Sequence, residues 1–184
     1  MSPVRFATAQ ALFETFPELS QKISAEPSEQ FPTDFLQTLV AAGKIEDAVT
    51  FCSYLLPRRE AVWWACGCAR ALLGEIPRDR STPLLAAEAW VQHPDDRRRT
   101  AALEIGTKGD RNDPLTWLAL AAGWSGGSLV ATPEVTIPVP PYVTARTARI
   151  AILLSSAKPG KVEREARLRS CIAEGVKLAE TGLS

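Results

Sequence analysis

The chain has 184 residues, of which 46% are hydrophobic and 23% are charged, a composition typical of a globular protein and unlike that of a disordered chain. Its 21 basic residues balance 21 acidic ones, which argues against nucleic acid as the main ligand, because phosphate binding needs a basic surplus or face. With no run of the roughly 20 apolar residues that span a bilayer and no secretory signal at the N-terminus, we expect a cytoplasmic protein that does not contact membranes.

Apolar residues in the N-terminal third recur every three or four positions, which is the spacing of amphipathic helices. This pattern predicts a first helix over residues 5–16. Thr33 is a good N-cap for a second helix over residues 34–42, and Gly43 follows that helix as its C′ residue. A third helix is predicted over residues 44–56.

The most informative stretch, Glu-Ala-Val-Trp-Trp-Ala-Cys-Gly-Cys-Ala, occupies residues 60–69. A helix that is apolar on every side must be surrounded by other elements. We therefore predict that this stretch belongs to the central helix of the domain. Pro57 fits the start of this helix, where its missing N–H costs nothing, and Gly74 fits its end.

Further helices are predicted in the second half of the chain. Asp95 and Asp113 each precede one of them, where a carboxylate can cap the helix or oppose its dipole. The expected bounds are 82–92, 95 to between 106 and 109, 114–124, 142–157 and 161–181. The sequence thus predicts an all-α protein, a single domain over residues 1–184, with about eight helices packed as antiparallel hairpins in a repeat-like array or a bundle.

The segment 125–141 differs from the rest because it contains two glycines and four prolines between β-favouring residues. It is predicted to be an extended, partly polyproline loop inserted between helices. Our preferred interpretation is a strap that packs Val135, Ile137 and Val139 along the helices. The alternative is a ledge that receives or offers an extended strand to a partner.

The sequence contains no recognisable catalytic set. His93 is the only histidine and is expected in an exposed loop or at a helix C-terminus, so neither a zinc site nor a nucleophile–base pair is indicated. Cys66 and Cys68 would point about 200° apart on a helix, which cannot clamp one metal ion. We predict that these two, with Cys52 and Cys171, are reduced core thiols, and that the protein is not an enzyme and has no metal or cofactor.

Five tryptophans are many for this length, and aromatic anchors dominate the energetics of interfaces. We expect at least three of them in the core and consider Trp124, at the end of a helix, the best exposed candidate. The predicted protein-binding residues are Trp124, Ile137, Val139 and Tyr142.

A run of three arginines, Arg97, Arg98 and Arg99, fans over most of a helix circumference. We expect a solvated face on which at least one arginine pairs with a nearby acid. The alternative is a surface for an acidic protein partner.

Three motifs resemble those of a known group of proteins. They are Leu-Pro-Arg-Arg-Glu-Ala-Val-Trp-Trp-Ala-Cys at 56–66, Ala-Ala-Glu-Ala-Trp at 86–90 and Trp-Ser-Gly-Gly-Ser-Leu at 124–129, the last followed by the proline-rich run. The chain is similar, over most of its length, to small uncharacterised bacterial proteins encoded in type VI secretion gene clusters, near spike and PAAR-like genes. This resemblance implies a genomic neighbourhood and brings no catalytic residues with it.

These observations lead to the hypothesis of a non-enzymatic adaptor or chaperone. Its partner would be a secreted effector, a PAAR-like protein or a spike component. The alternatives are an immunity protein that neutralises a toxin, a structural subunit that is stable only as a homo-oligomer, and a hydrolase or transferase with an unrecognised site. Zero net charge counts mildly against the immunity protein, which often matches a charged toxin.

Overall fold

The computed structural model describes residues 4–131, 135–157 and 160–183. Over these residues nine α-helices, a short 3₁₀ helix and a two-stranded hairpin are present, which confirms the all-α prediction. The helices are α1 (Ala9–Thr15), α2 (Pro32–Ala41), α3 (Ile45–Leu55), α4 (Arg58–Leu73), α5 (Thr82–Gln92), α6 (Asp96–Lys108), α7 (Pro114–Gly123), α8 (Tyr142–Ser155) and α9 (Lys161–Thr181). The 3₁₀ helix is Pro17–Gln21, and the strands are β1 (Ser128–Ala131) and β2 (Thr136–Pro138).

Helix α4 lies at the centre of the fold and contacts α5, α7, α8 and α9. Helix α9 returns from the C-terminus to pack on α2, α3 and α4. In a repeat array each unit contacts only its neighbours, so these contacts between distant helices make the architecture a closed bundle. One cluster of buried apolar side chains extends through it from α1 to α9. No helix in the described part of the chain is long and apolar enough to cross a membrane.

Local signals located several helix ends correctly, although α1 begins at Ala9, four residues later than predicted. The bounds predicted for α5 and α9 are those observed. Asp95 caps α6 by accepting a hydrogen bond from the Arg98 amide, and Asp113 caps α7 by accepting one from the Leu115 amide. These carboxylates satisfy amides that have no partner within their own helix.

The start of α2 was predicted wrongly. Thr33 is not an N-cap but a buried residue of the first turn, and α2 begins at Pro32 with Phe31 as its N-cap. Proline is suited to the first helical position, because its fixed φ is already helical and its missing N–H would have no partner there. The helix therefore starts earlier than the threonine suggested.

Helix α4 is covered on all but one stripe, so the prediction that it is surrounded on every side is wrong in part. Trp64 is buried, whereas Trp63 is 40% exposed, and Gly67, Arg70 and Ala71 are exposed with it. Positions four and seven residues apart lie on one helix face, so these side chains form a continuous stripe. The four helices that contact α4 leave this stripe open.

Candidate protein-binding surface

The proline-rich segment forms a hairpin rather than a strap. Strands β1 and β2 pair antiparallel, with Val130 opposite Ile137 and Ala131 opposite Thr136, and the register shifts between Ser128 and Val130. The β-favouring residues of this segment explain the strands. The predicted loop proline Pro133 lies outside the described residues.

Three large apolar side chains on the hairpin face solvent. Leu129, Val135 and Ile137 are between 45% and 49% exposed, and every residue of β2 is exposed. The two strands contact chiefly each other rather than the helices. The strap interpretation is therefore wrong for Val135 and Ile137. We call Leu129, Val135 and Ile137 the hairpin surface, because large exposed apolar side chains on one element are a feature of interaction sites.

Hydrogen bonds from two helices hold the start of the hairpin. The Arg58 guanidinium of α4 donates to the Ser125 carbonyl at 2.5 Å. The Arg99 guanidinium of α6 donates to the carbonyls of Gly123 at 3.0 Å and Gly126 at 3.3 Å. The same Arg99 side chain forms an ion pair with Asp96 at 2.6 Å, which fixes its orientation.

The turn that carries Gly127 is shaped around this arginine. Gly127 has a φ of +72°, which L side chains rarely adopt, and a Cβ added there would lie 2.7 Å from Nη1 of Arg99. Glycine is needed both for the backbone conformation and for the close approach of the guanidinium. The Gly127 carbonyl also accepts a hydrogen bond from the Val139 amide, which closes the base of the hairpin.

The four predicted binding residues have different environments. Ile137 is exposed on β2. Val139 is only 6% exposed, so it anchors the end of the hairpin in the protein. Tyr142, the first residue of α8, packs against the core and is half-buried. Trp124 is half-buried as the C-cap of α7, and its carbonyl accepts a hydrogen bond from Thr144 Oγ1. The structure thus brings all four to the hairpin and its base but exposes chiefly Ile137.

The exposure of the tryptophans was ranked wrongly. Trp63, which we assigned to the buried helix, is exposed to solvent, whereas Trp124 is half-buried. Trp64 and Trp90 are buried, and Trp117 packs partly buried against the core. A signal for the exposure of Trp63 was present in the sequence, because Arg70 shares its helix face and arginine is mostly found at the surface.

The remaining candidate residues are the arginine run, His93 and the four cysteines. Arg98 pairs with Asp95 and Arg99 with Asp96, which confirms that the arginine run pairs with nearby acids. His93 is the exposed C-cap of α5, as expected. All four cysteines are free and buried. Across the ranges that the structure describes, no group of three or more His, Cys, Asp or Glu residues could hold a metal ion.

Replacing Arg99 with lysine is expected to loosen the hairpin without unfolding the bundle. Lysine has a single ammonium group and cannot bridge Asp96 and two carbonyls as the guanidinium fork does. We expect amide hydrogen exchange of residues 124–131 to become about tenfold faster, the equivalent of losing one charged hydrogen bond. Arg97→Lys, on the solvent-exposed part of the same helix, is the control. Equal exchange in both variants would contradict the anchoring role.

The fold and this surface define an all-α helical bundle that presents an anchored β-hairpin. The chain belongs to a family of unknown function, DUF6931, whose model matches residues 35–179. The match begins in α2 and ends in α9, so it includes α4 and the hairpin. No curated protein and no solved structure matches the chain.

Proposed function

We propose that the protein is a non-enzymatic adaptor or chaperone that binds another protein through the hairpin surface. The observation that carries this proposal is the exposure of three large apolar side chains on one hairpin, Leu129, Val135 and Ile137. Apolar side chains that are buried when a partner binds contribute roughly 25 cal/mol for each Å² removed from water.

The hydrogen bonds that hold the start of the hairpin also support its role as a binding surface. Arg58 and Arg99 hold the start of the hairpin in the free protein, so binding does not have to order that backbone first. A surface that is already in its bound conformation loses less conformational entropy on association. Among the described residues the sheet consists of β1 and β2, so an extended segment of a partner could add to it as a third strand.

The proposed partner is a secreted effector, a PAAR-like protein or a spike component of a type VI secretion system. This part of the proposal rests on the resemblance of the motifs at 56–66, 86–90 and 124–129. In such a system the adaptor would hold its partner before secretion, and the apolar hairpin would cover an apolar surface that the partner exposes until it is loaded.

The test is an affinity pull-down of the tagged protein from its native cell, with a matched pair of variants. Leu129→Ser combined with Ile137→Ser is expected to reduce recovery of the partner at least tenfold, because two apolar contacts are lost. Leu85→Ser is the control, since Leu85 is an equally exposed leucine on α5, away from the hairpin. Circular dichroism and thermal unfolding of each variant show whether the bundle is intact.

The outcomes separate the hypotheses. A stoichiometric spike, PAAR-like or effector protein that is lost with the double variant and kept with Leu85→Ser supports the proposal. Loss with both variants, or with neither, contradicts the role of the hairpin. A partner that is captured only through its toxic domain would identify an immunity protein instead. The absence of any stoichiometric partner of the wild-type protein would overturn the adaptor proposal.

A further inference from the structure

A groove of about 350 Å³ lies between α4 and α9, on the open stripe of α4. Trp63 and Gly67 of α4 form one wall, and Glu174 and Lys177 of α9 form the other. Two cysteines, Cys68 of α4 and Cys171 of α9, line the same groove. The groove is remote in sequence from the hairpin surface and plays no part in the function proposed above.

The two cysteines line this groove from opposite helices, Cys68 from α4 and Cys171 from α9. Both thiols are free, and both are buried at the floor of the groove. Each helix therefore contributes one thiol to a pair that faces a solvent-connected space.

The close packing of α4 on α9 lets two such short side chains line the same groove. Gly175 lies one turn after Cys171, and a Cβ added to it would lie 2.9 Å from Cε2 of Trp64 and 2.5 Å from Sγ of Cys52. Trp64 Nε1 also donates a hydrogen bond to the Cys171 carbonyl at 2.7 Å. Because Gly175 has no side chain, α9 can lie close to α4. A disulfide between two helices requires such a close approach.

The two thiols differ in acidity. The hydrogen bond from Cys68 lowers the pKa of the Cys171 thiol, whereas burial raises the pKa of the Cys68 thiol. Burial also raises the pKa of the Cys52 and Cys66 thiols. The thiolate is the reactive form of cysteine, so Cys171 is the nucleophile of the four and Cys68 is the neighbour that keeps its proton.

We propose that Cys171 and Cys68 form a peroxide-reactive dithiol that closes into a disulfide between α4 and α9. The Cys171 thiolate attacks one oxygen of a hydroperoxide, the O–O bond breaks, and the leaving hydroxide takes up the proton that Cys171 released. The Cys68 sulfur then attacks the sulfur of the Cys171 sulfenic acid, the S–O bond breaks, and water leaves with the Cys68 proton. Two thiols are oxidised and one hydrogen peroxide is reduced to two waters.

The shape of the site favours a small oxidant. The cysteines are at the floor of the groove and almost fully buried. A bulky oxidant, such as a small-molecule disulfide, would be obstructed from reaching their sulfur atoms. Hydrogen peroxide is little larger than water, whose share of liquid volume is about 30 Å³, so it can enter a groove of this size. Cys66 does not line the groove, and its buried, protonated thiol is expected to stay unmodified.

The experiment treats the reduced, folded full-length protein with hydrogen peroxide, then unfolds and alkylates it. Before alkylation we expect the intact mass to be about 2 Da lower than that of the reduced protein, as two thiol hydrogens leave, and after it we expect two of the four cysteines to be unalkylated. Trypsin digestion should yield the peptide 60–70 linked to the peptide 170–177. Because 60–70 contains both Cys66 and Cys68, the mapping is repeated in Cys66→Ser, where the link should remain.

Each other result overturns the proposal. Alkylation of all four cysteines after treatment would show that the pair does not react in the folded protein. A link from 170–177 to the peptide 45–58 would assign Cys52 as the partner of Cys171. Sulfinic acid at Cys171 without a disulfide would show that Cys68 does not resolve the sulfenic acid. Cys171→Ser should form no disulfide, and the wild-type peptide map decides the question even if this variant does not fold.

Discussion

Replacing Gly175 with alanine is expected to lower the free energy of unfolding by about 3 kcal/mol, the upper part of the usual range for overpacking a core. The new methyl group would lie 2.5 Å from Sγ of Cys52 and 2.9 Å from two atoms of the Trp64 ring. Both side chains are buried, and the Trp64 ring is held by its hydrogen bond to the Cys171 carbonyl. To relieve the clash, α9 must move away from α4, which disrupts packing along that interface.

The control for this prediction is Gly67→Ala in α4. Gly67 also lies inside a helix, but a Cβ added to it meets nothing within 4 Å. Alanine has the higher helix propensity, so this variant should be more stable than the wild type by up to about 1 kcal/mol. Urea unfolding followed by circular dichroism measures both. A loss below about 0.5 kcal/mol for Gly175→Ala would show that the helices do not approach as closely as described.

Raising the pH from about 8 to about 10 is expected to lower the free energy of unfolding by about 4 kcal/mol. Burial raises the pKa of the Cys52, Cys66 and Cys68 thiols well above the value of about 8.5 that a thiol has in an unfolded chain. Above that pH the unfolded state releases protons that the folded state retains, so the unfolded state is favoured. The contribution is complete below about pH 8.5 and decreases as the pH rises towards the folded-state pKa values. Cys171, whose pKa is lowered, offsets part of the loss.

The variant Cys66→Ala measures how much one thiol contributes to this loss of stability with pH. Cys66 is buried and does not line the groove, and its thiol should account for about 2 kcal/mol of the loss between about pH 8 and about pH 10. The variant will be less stable at neutral pH because it removes a buried sulfur, but its stability should fall less steeply with pH. Guanidinium unfolding at several pH values under reducing conditions gives the slope of unfolding free energy against pH for the wild type and for the variant. Parallel slopes for the variant and the wild type would contradict a raised pKa for Cys66.

Ionisation of Tyr54 lowers the free energy of unfolding further at still higher pH. Burial and the nearby Glu18 carboxylate raise the pKa of its phenol to about 12. The phenol of an unfolded chain ionises near pH 10, so the folded state keeps this proton over a further range. The stability that Tyr54 contributes is therefore present below about pH 10 and is lost as the pH rises towards 12.

Much of the bundle could be predicted from short stretches of the chain. The carboxylates of Asp95 and Asp113 cap the helices that follow them, and both ends of α5 and α9 follow from apolar spacing and flanking residues. These signals succeed because capping and amphipathic spacing act over one or two helical turns. The exception at Thr33 is also local, because the preceding proline starts the helix two positions earlier than predicted.

The candidate surface was predicted only in part. The unusual composition of 125–141 located the segment, but the preferred interpretation packed Ile137 along the helices, whereas the structure exposes it. The hairpin, however, depends on hydrogen bonds from Arg58 and Arg99, which come from helices far away in the sequence. Val139 and Ile137 have the same character in sequence, and only the packing of the hairpin base buries one and exposes the other.

Helix α4 shows most clearly which features sequence patterns do not determine. Its apolar residues establish that it is a helix and that most of it is buried, because such a surface is unfavourable in water. Which stripe stays open depends on where α5, α7, α8 and α9 pack, and this exposes Trp63 and opens the groove. The placement of Cys68 and Cys171 in one groove likewise needs the close approach of α4 and α9 at Gly175. Local patterns specify helices, whereas contacts between residues distant in sequence depend on how the whole set of helices fills the core.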